Sequence, residues 1–321
     1  MSSLLVQCDA SADLEMVSSR LVSVVITTYN QANFLPEALE SVLAQTYKHF
    51  EIVIVDDESA DHPELVASQY PQARLIQQKN QGVAAARNRG WKNTKGEFIT
   101  FLDADDRLLP GALQAGINSF VAHPDRAFAF GRGRLISSEG TPMPAPEKPW
   151  VEGDCFEQLL EANPIPFPAI VMFRRWALEE VNGFRSFVGR KFIANVTDYD
   201  LYLRLAVRHQ FYRHTELIAE WRQHEKNTSN NAQMMLIGSV AILKSHSKHV
   251  RGTRRKRAQQ AGLKLVREHY GNKLIEELRI GVRNGQITKR RLFSGAYTLL
   301  KHRPAALLEN IVGKIRSMAR S

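Results

Sequence analysis

Cysteine is scarce in this sequence: among 321 residues there are two, Cys8 and Cys155, far apart and in dissimilar surroundings. Such a pair provides neither a disulfide framework nor the spacing of a metal site built from cysteines. We therefore expect a protein of a reducing compartment, and the cytoplasm fits best.

Long hydrophobic runs are absent as well. No run approaches the ~18 apolar residues that a membrane-spanning helix requires. The first 20 residues mix Asp9, Asp13 and Glu15 with single apolar residues, so they lack the basic start and apolar centre of a secretory signal. The pattern predicts a short leader over residues 1–20 and a protein that is not integral to a membrane.

Acidic residues are scarce at one end of the chain only. From Ala232 to Ser321 there are 20 Lys and Arg but 4 Asp and Glu, a balance of +16 within a total net charge of +10. Residues 1–231 therefore carry −6. The basic character belongs to the C-terminal part alone.

The first half of the chain alternates short β-branched runs with segments of helical periodicity, which predicts βα units in a mainly parallel sheet. A polar loop follows each strand. Ligands bind outside the carboxyl ends of strands in open α/β sheets, so these loops should converge on one crevice. The predicted strands are Val22–Thr27, Glu51–Val55, Ala73–Gln77 and Phe98–Leu102, and their loops are 28–30, 56–59, 80–82 and 103–106.

Beyond Arg134 the pattern loosens, and four prolines within residues 141–150 predict a loop. A short helix over 153–162, a β-run over 169–173 and a helix over 198–208 follow. From Gln233 onward the periodicity is helical, with interruptions expected at 251–252, 271–272, 281–285 and Pro304. We expect an α/β domain over residues 21–230 and a basic helical region over 231–321.

Four carboxylates come just after two of the predicted strands, those of Asp56, Asp57, Asp103 and Asp105. Like charges so close repel strongly unless a cation or hydrogen-bond donors lie among them. The spacing of Asp103 and Asp105 suits a hard divalent cation that keeps open positions for phosphate oxygens. The alternative is that these acidic loops only cap the helices that follow them.

Four motifs follow one another within about 110 residues: VSVVITTYN from Val22, VIVDDES from Val53, NQGVAAARNRG from Asn80, and FLDADD from Phe101 with Pro110 behind it. Together they resemble the family 2 glycosyltransferases, which include many enzymes of bacterial surface-polysaccharide assembly. The resemblance covers about residues 21–230. It implies the GT-A fold, a mainly parallel, Rossmann-like nucleotide-binding sheet flanked by helices, here with a C-terminal helical appendage.

The resemblance also implies a ligand for each motif. A nucleotide-sugar donor, with UDP as its nucleotide, would be held at its base and ribose by Thr27, Tyr29, Asp57 and Arg87. Asp103 would lie near the ribose, and Asp105 would ligate manganese or magnesium that bridges the diphosphate. A metal there would stabilise the charge that develops on the leaving nucleoside diphosphate.

A general base is needed to deprotonate the acceptor hydroxyl, and one carboxylate suffices if the anomeric centre is inverted by direct displacement. The segment from Thr197 to Leu205 is similar to the acidic motif from which the family supplies this base, with Asp198 at its position. Thr197 departs from the family, which usually has Glu there. The alternative is that Asp198 and Asp200 only favour a helix N-terminus.

Trp221-Arg222-Gln223-His224 resembles a late Arg-x-His segment of the family, which approaches the metal and diphosphate from the acceptor side. This assigns Arg222 and His224 to that side of the site. A lone histidine is otherwise a surface or core residue, and that interpretation of His224 stays open.

The basic C-terminal region alternates Lys and Arg with apolar positions at helical spacing. Such helices suit an anionic membrane surface, and a glycan or lipid-linked acceptor at the inner face of the membrane would make peripheral docking useful. The alternative is a solvated bundle. Nucleic-acid binding is the more remote explanation of the charge, because no RNA-binding aromatic motif, zinc spacing or recognition helix is present.

Two other classes remain beside glycosyl transfer. A sugar-phosphate nucleotidyltransferase would also use paired Asp residues and a metal on an α/β sheet. Those enzymes usually open with a Gly-rich phosphate loop after the first strand, whereas residues 28–31 here contain no glycine. A non-catalytic binding module is the third class, and it requires that Asp198 be dispensable.

Overall fold

A computed structural model of the protein describes residues 20–144, 153–185, 196–225 and 227–304. The chain divides into two compact units whose segments interleave along the sequence. The first unit comprises Met1–Cys155, Pro164–Ser186 and Arg204–His224, and the second comprises Phe156–Asn163, Phe187–Leu203 and Glu225–Ser321. The predicted boundary near residue 230 stays a prediction.

The first unit is built on four parallel strands that correspond to the four predicted ones. They are β1 (Val22–Thr28), β2 (Phe50–Asp56), β3 (Ala73–Gln77) and β4 (Phe98–Asp103), in the order β3-β2-β1-β4. All of β1 and most of β2 and β4 are buried, as near-continuous Val, Ile and Phe runs require when both faces of a parallel sheet are covered. The parallel pairing brings the carboxyl ends of these strands to one edge.

Helices connect these strands. They are α1 (Leu35–Leu43), α2 (Pro63–Ala67) and α3 (Val83–Lys92), and α4 (Ala112–Ala122) follows the short strand β5 (Arg107–Leu108). Pro36 lies in the first turn of α1, where its missing N–H removes no helical bond. Gly90 lets α3 pack closely on the sheet, because a Cβ there would overlap the side chain of Val25.

The rest of the sheet is mixed, and its longest strands were not predicted. β6 (Phe128–Ile136) pairs in parallel with β9 (Tyr212–Arg222), while β8 (Val171–Arg174) joins β4 and β6 in antiparallel pairings. The β-run expected over 169–173 is only partly right, since Pro168–Ile170 form a 3₁₀ turn before β8. Pro142 and Met143 form a two-residue edge strand, β7, beside β6. Residues 145–150 of the predicted Pro-rich loop lie outside the described part of the chain.

The described part of the second unit is helical. Two shorter helices contribute to it, α5 (Cys155–Glu161) and the start of α7 (Thr197–Ala206), while α6 (Arg175–Glu180) between them belongs to the first unit. Its main helices are α8 (Ala232–Ser245), α9 (Gly252–Arg283) and α10 (Lys289–His302). Leu236, Val240, Leu274, Leu278 and Leu299 form the core of α8, α9 and α10.

The interruption expected at residues 271–272 is wrong, because α9 runs without a break from Gly252 to Arg283. Gly271 lies on the buried side of α9, where Arg303 packs closely against it. This packing outweighs the poor helix propensity of glycine. None of the helices in the described ranges combines the length and the apolarity that a bilayer crossing requires.

Candidate active site

The loops that follow β1 and β2 are joined by hydrogen bonds. The backbone N–H of Asn30 donates to Ser59 Oγ at 3.0 Å, and Asn30 Oδ1 accepts from the N–H of Ala60 at 2.8 Å. Asn30 and Glu58 both have positive φ, of 54° and 67°. This conformation is uncommon for residues other than glycine, and here it turns both loops sharply at the strand ends.

Asp57 connects this pair of loops to the third. Its Oδ1 accepts from Gln78 Nε2 at 2.8 Å and from the N–H of Gln81 at 2.9 Å, and its Oδ2 accepts from the N–H of Gly82 at 2.8 Å. A carboxylate offers about four acceptor positions, so one remains at Oδ2 after these three bonds. Asp57 thus fixes the loop before α3 while it keeps the capacity to bind one more donor.

Arg87 and Asp103 form a partly buried ion pair at the end of β4. One guanidinium nitrogen of Arg87 lies 2.8 Å from Asp103 Oδ1 and 3.0 Å from Oδ2, and Thr27 Oγ1 donates to Oδ1 at 3.0 Å. The guanidinium also stacks over the Phe184 ring. Three residues that the sequence assigned to nucleotide binding are therefore in direct contact. Tyr29 lies in the loop after β1 with half of its side chain exposed.

Asp105 lies in the turn after β4 between two donors from distant parts of the chain. Its Oδ2 lies 2.7 Å from Gln31 Nε2 and 2.9 Å from His224 Nε2, and the His224 ring stacks on Phe34. Burial raises the pKa of Asp105, and the charge of Asp103 raises it further, whereas His224 lowers it. An ionised Asp105 therefore needs positive charge nearby.

Asp106 and Arg222 hold the turn that contains Asp105 through hydrogen bonds. The backbone N–H of Arg222 donates to Asp106 Oδ1 at 3.0 Å, and its guanidinium donates to the Asp105 carbonyl at 2.9 Å and to Glu37 Oε2 at 2.6 Å. Burial, together with the charges of Asp105 and Asp103, holds the pKa of Asp106 well above its usual value. Arg222 is 1% exposed, and its predicted role beside the diphosphate stays a prediction.

These residues fit a divalent cation that takes most of its ligands from elsewhere. No group of three acidic, His or Cys side chains able to hold an ion alone occurs in the described ranges of the chain. Magnesium and manganese, however, are often bound through one or two carboxylates plus phosphate oxygens and water. Burial and the charge of Asp103 raise the pKa of Asp105, and a bound cation would oppose both effects by favouring the ionised carboxylate.

The first turn of α7, in the second unit, carries Asp198, the predicted base, and Asp200. Asp198 is partly exposed and accepts from the N–H of Tyr199 at 2.9 Å. Asp200 is fully buried, and its Oδ1 lies 3.3 Å from His246 Nε2 of α8. The two carboxylates of this acidic motif thus have different environments.

Sequence reasoning missed Gln31 and Gln78, the side-chain amides that bind Asp105 and Asp57. Both follow predicted strands, Gln31 directly after the first polar loop and Gln78 directly after β3. A polar side chain beside a predicted loop at this edge of the sheet was the available signal. It does not say which carboxylate an amide will reach, because that depends on the packing of distant loops.

Comparison with known proteins identifies the class to which this site belongs. Residues 23–181 match the model of Glycosyl transferase family 2, so the chain carries a glycosyltransferase domain of that family. The match spans β1 to α6 and includes all four strand-end loops.

Curated relatives agree with the family. An uncharacterized glycosyltransferase of Rickettsia felis is 34% identical over 169 residues, which is 51% of this chain and 28% of that protein. Chondroitin synthase of Escherichia coli is 30% identical over 232 residues, which is 68% of this chain and 31% of that protein. The chain thus spans less than a third of the length of these relatives.

Solved structures confirm the fold. Residues 1–349 of S. aureus TarS in complex with UDP-GlcNAc align with a TM-score of 0.59 at 15% identity, over 88% of this chain and 80% of that one. The mannosyltransferase PcManGT of Pyrobaculum calidifontis, in complex with GDP-Man and Mn²⁺, aligns with a TM-score of 0.58 at 18% identity, over 88% and 81%. The α/β fold predicted from the sequence, GT-A with C-terminal helices, is confirmed.

Proposed function

We propose that this protein transfers a sugar from a UDP-sugar to a hydroxyl group of a glycan or lipid-linked acceptor, with inversion at the anomeric carbon and with manganese or magnesium as cofactor. The observation that carries the proposal is the meeting of Asp103 and Asp105, at the end of β4, with donors from three other segments, Gln31, Arg87 and His224. The family match of residues 23–181 supports the reaction class.

Uracil is the base that we assign to the first loops. Its N3–H donates a hydrogen bond, and Asp57 keeps an acceptor position at Oδ2 beyond the three bonds that hold its own loop. Tyr29 is 51% exposed in the neighbouring loop, an aromatic surface on which a base could stack. Arg87 and Asp103 form the polar wall for the ribose.

Asp105 would hold the cation, with phosphate oxygens and water as its remaining ligands. A bound divalent cation supplies electrostatic stabilisation of the departing diphosphate. His224 and Gln31 fix the orientation of the Asp105 carboxylate through their hydrogen bonds to Oδ2. Arg222 holds the backbone of the same turn, so the carboxylate is positioned before any ligand arrives.

Asp198 is proposed as the general base. It would accept the acceptor's hydroxyl proton while the hydroxyl oxygen attacks the anomeric carbon and the nucleoside diphosphate leaves. Its partial exposure supports this assignment over Asp200, which is buried beside His246. A role in surface-polysaccharide assembly is supported by the similarity to a chondroitin synthase.

Calorimetric titration with UDP tests the donor site and the cofactor together. In manganese we expect binding that EDTA weakens at least about tenfold, or about 1.4 kcal/mol. Asp105→Asn should bring the affinity in manganese down to the level measured in EDTA. Asp125→Asn, which removes an exposed carboxylate paired with Arg126, is the matched control and should bind like the wild type. Equal affinities in manganese and EDTA would remove the metal from the proposal.

A further inference from the structure

Helix α10 presents an apolar stripe on the side that faces away from its own unit. Phe293, Tyr297 and Leu300 are 74%, 67% and 58% exposed. At 3.6 residues per turn they lie within about 60° of one another and span about 10 Å along the axis. A helix packed on a solvated bundle should carry polar residues at these positions, so this face is inverted relative to the usual pattern.

The opposite side of α10 fixes this orientation. Leu299 lies in the core of the unit, and Gly295 allows close contact with Leu278, because a Cβ there would lie 2.8 Å from a Leu278 methyl carbon. Gln233 Nε2 of α8 donates to Ser294 Oγ and Thr298 Oγ1, both at 2.8 Å. Rotation of α10 to hide Phe293 would break these contacts, so the stripe stays outward.

Cations flank the stripe, and α10 itself contains no acidic residue. Lys289, Arg290 and Lys301 are exposed on α10, next to the apolar positions on the helical circumference. Residues 278–308 include seven Lys and Arg and no Asp or Glu. An apolar face framed by Lys and Arg matches the composition of helices that lie in the interface of an anionic membrane.

We propose that the outward face of α10 docks on an anionic lipid surface, with Phe293, Tyr297 and Leu300 inserted at the level of the headgroups and the flanking cations bound to lipid phosphates. A second copy of the chain fits less well, since it would bring these cations together with no acidic residue in this segment to pair with them. Protein interfaces are also depleted of lysine. The inference does not depend on the proposed transferase activity.

Flotation of the full-length protein with vesicles tests the proposal. We expect binding to vesicles of equimolar phosphatidylglycerol and phosphatidylcholine, little binding to phosphatidylcholine alone, and weaker binding as salt is raised. The combined substitution Phe293→Gln, Tyr297→Gln and Leu300→Gln should lower partitioning by more than about tenfold. These side chains are exposed, and Gln retains helix propensity, so the variant should fold like the wild type.

Leu265→Gln is the matched control, because it removes an apolar side chain that is 50% exposed on α9. It should bind vesicles like the wild type. Absence of binding to anionic vesicles at low salt would overturn the proposal. So would binding that the triple substitution leaves unchanged, since adsorption would then depend on charge alone. A wild-type dimer that the triple substitution separates, without any vesicle binding, would assign the face to a second copy instead.

Discussion

At the scale of single residues, the two carboxylates at the start of α7 show how burial separates chemical roles. Asp198 is partly exposed, whereas Asp200 is fully buried and lies beside His246, which is itself almost inaccessible. A general base must reach the acceptor hydroxyl, and a fully buried carboxylate does not meet that condition. A buried pair of this kind is costly to break, because the partner that remains is left buried and uncompensated.

Substitution of each carboxylate by Asn tests this division. Asp198→Asn keeps the size of the side chain but cannot accept the proton, so kcat should fall by roughly 10² to 10⁴ with UDP affinity unchanged. Asp200→Asn should act on stability, with a loss of about 1–3 kcal/mol because the buried His246 loses its charged partner. Steady-state kinetics and thermal unfolding of both variants measure the two effects.

The opposite result has a definite meaning. If Asp200→Asn removed transfer at unchanged stability while Asp198→Asn remained active, the base would be Asp200, and the alignment across Thr197 would be displaced by two residues. The residue-level predictions from the sequence were strongest for carboxylates at strand ends, such as Asp105. The contacts of Gln31 with Asp105 and of Gln78 with Asp57 depend on tertiary packing, which no local pattern encodes.

At the scale of elements, two glycines of α9, Gly262 and Gly271, differ in the groups that pack against them. A Cβ at position 262 would overlap the carbonyl oxygen of Leu160 in α5, a backbone atom that cannot move alone. A Cβ at position 271 would lie 2.8 Å from Cδ of Arg303, a flexible side chain at the surface. An added methyl group would therefore have to displace backbone at position 262 but only a side chain at position 271.

Gly262→Ala should accordingly lower the free energy of unfolding by about 2–3 kcal/mol, through overpacking against Leu160. Gly271→Ala should stay within about 1 kcal/mol of the wild type, because the gain in helix propensity offsets the displacement of Arg303. Urea unfolding of both variants measures the difference. If Gly271→Ala lowered the free energy of unfolding more than Gly262→Ala, the contact between α9 and α5 would be looser than it is in the structure.

The elements that could be predicted are those with an uninterrupted local signal. β1, β2 and β4 are buried on both faces, so their sequences are continuous apolar runs. β6 lacks this signal because Gly131 and Gly133 interrupt it, and both are needed where His214 and Phe167 approach the strand. The long helix α9 was divided at Gly271 for the converse reason, since a glycine that serves packing resembles one that ends a helix.

At the scale of the whole molecule, the two compact units do not follow the order of the sequence. Phe156–Asn163 and Phe187–Leu203, from within the predicted 21–230 domain, belong to the same unit as Glu225–Ser321. The contacts explain this grouping: Tyr199 donates to the carbonyl of Leu159, and His246 of α8 meets Asp200. The helical C-terminal region thus completes a unit that also contains the start of α7.

Truncation distinguishes a separable appendage from an integral part. A chain that ends after residue 230 loses α8, α9 and α10, and with them His246 and the core around Leu236 and Leu274. We expect it to unfold at lower temperature and to lose transfer, because the helix that carries Asp198 loses its support. A chain that ends after Pro304 keeps every described helix and should retain both properties.

Differential scanning calorimetry and a transfer assay on the two chains provide the comparison. If the chain ending at 230 unfolded cooperatively at the wild-type temperature and transferred sugar at the full rate, residues 231–321 would be an independent domain, and the boundary predicted from sequence would hold.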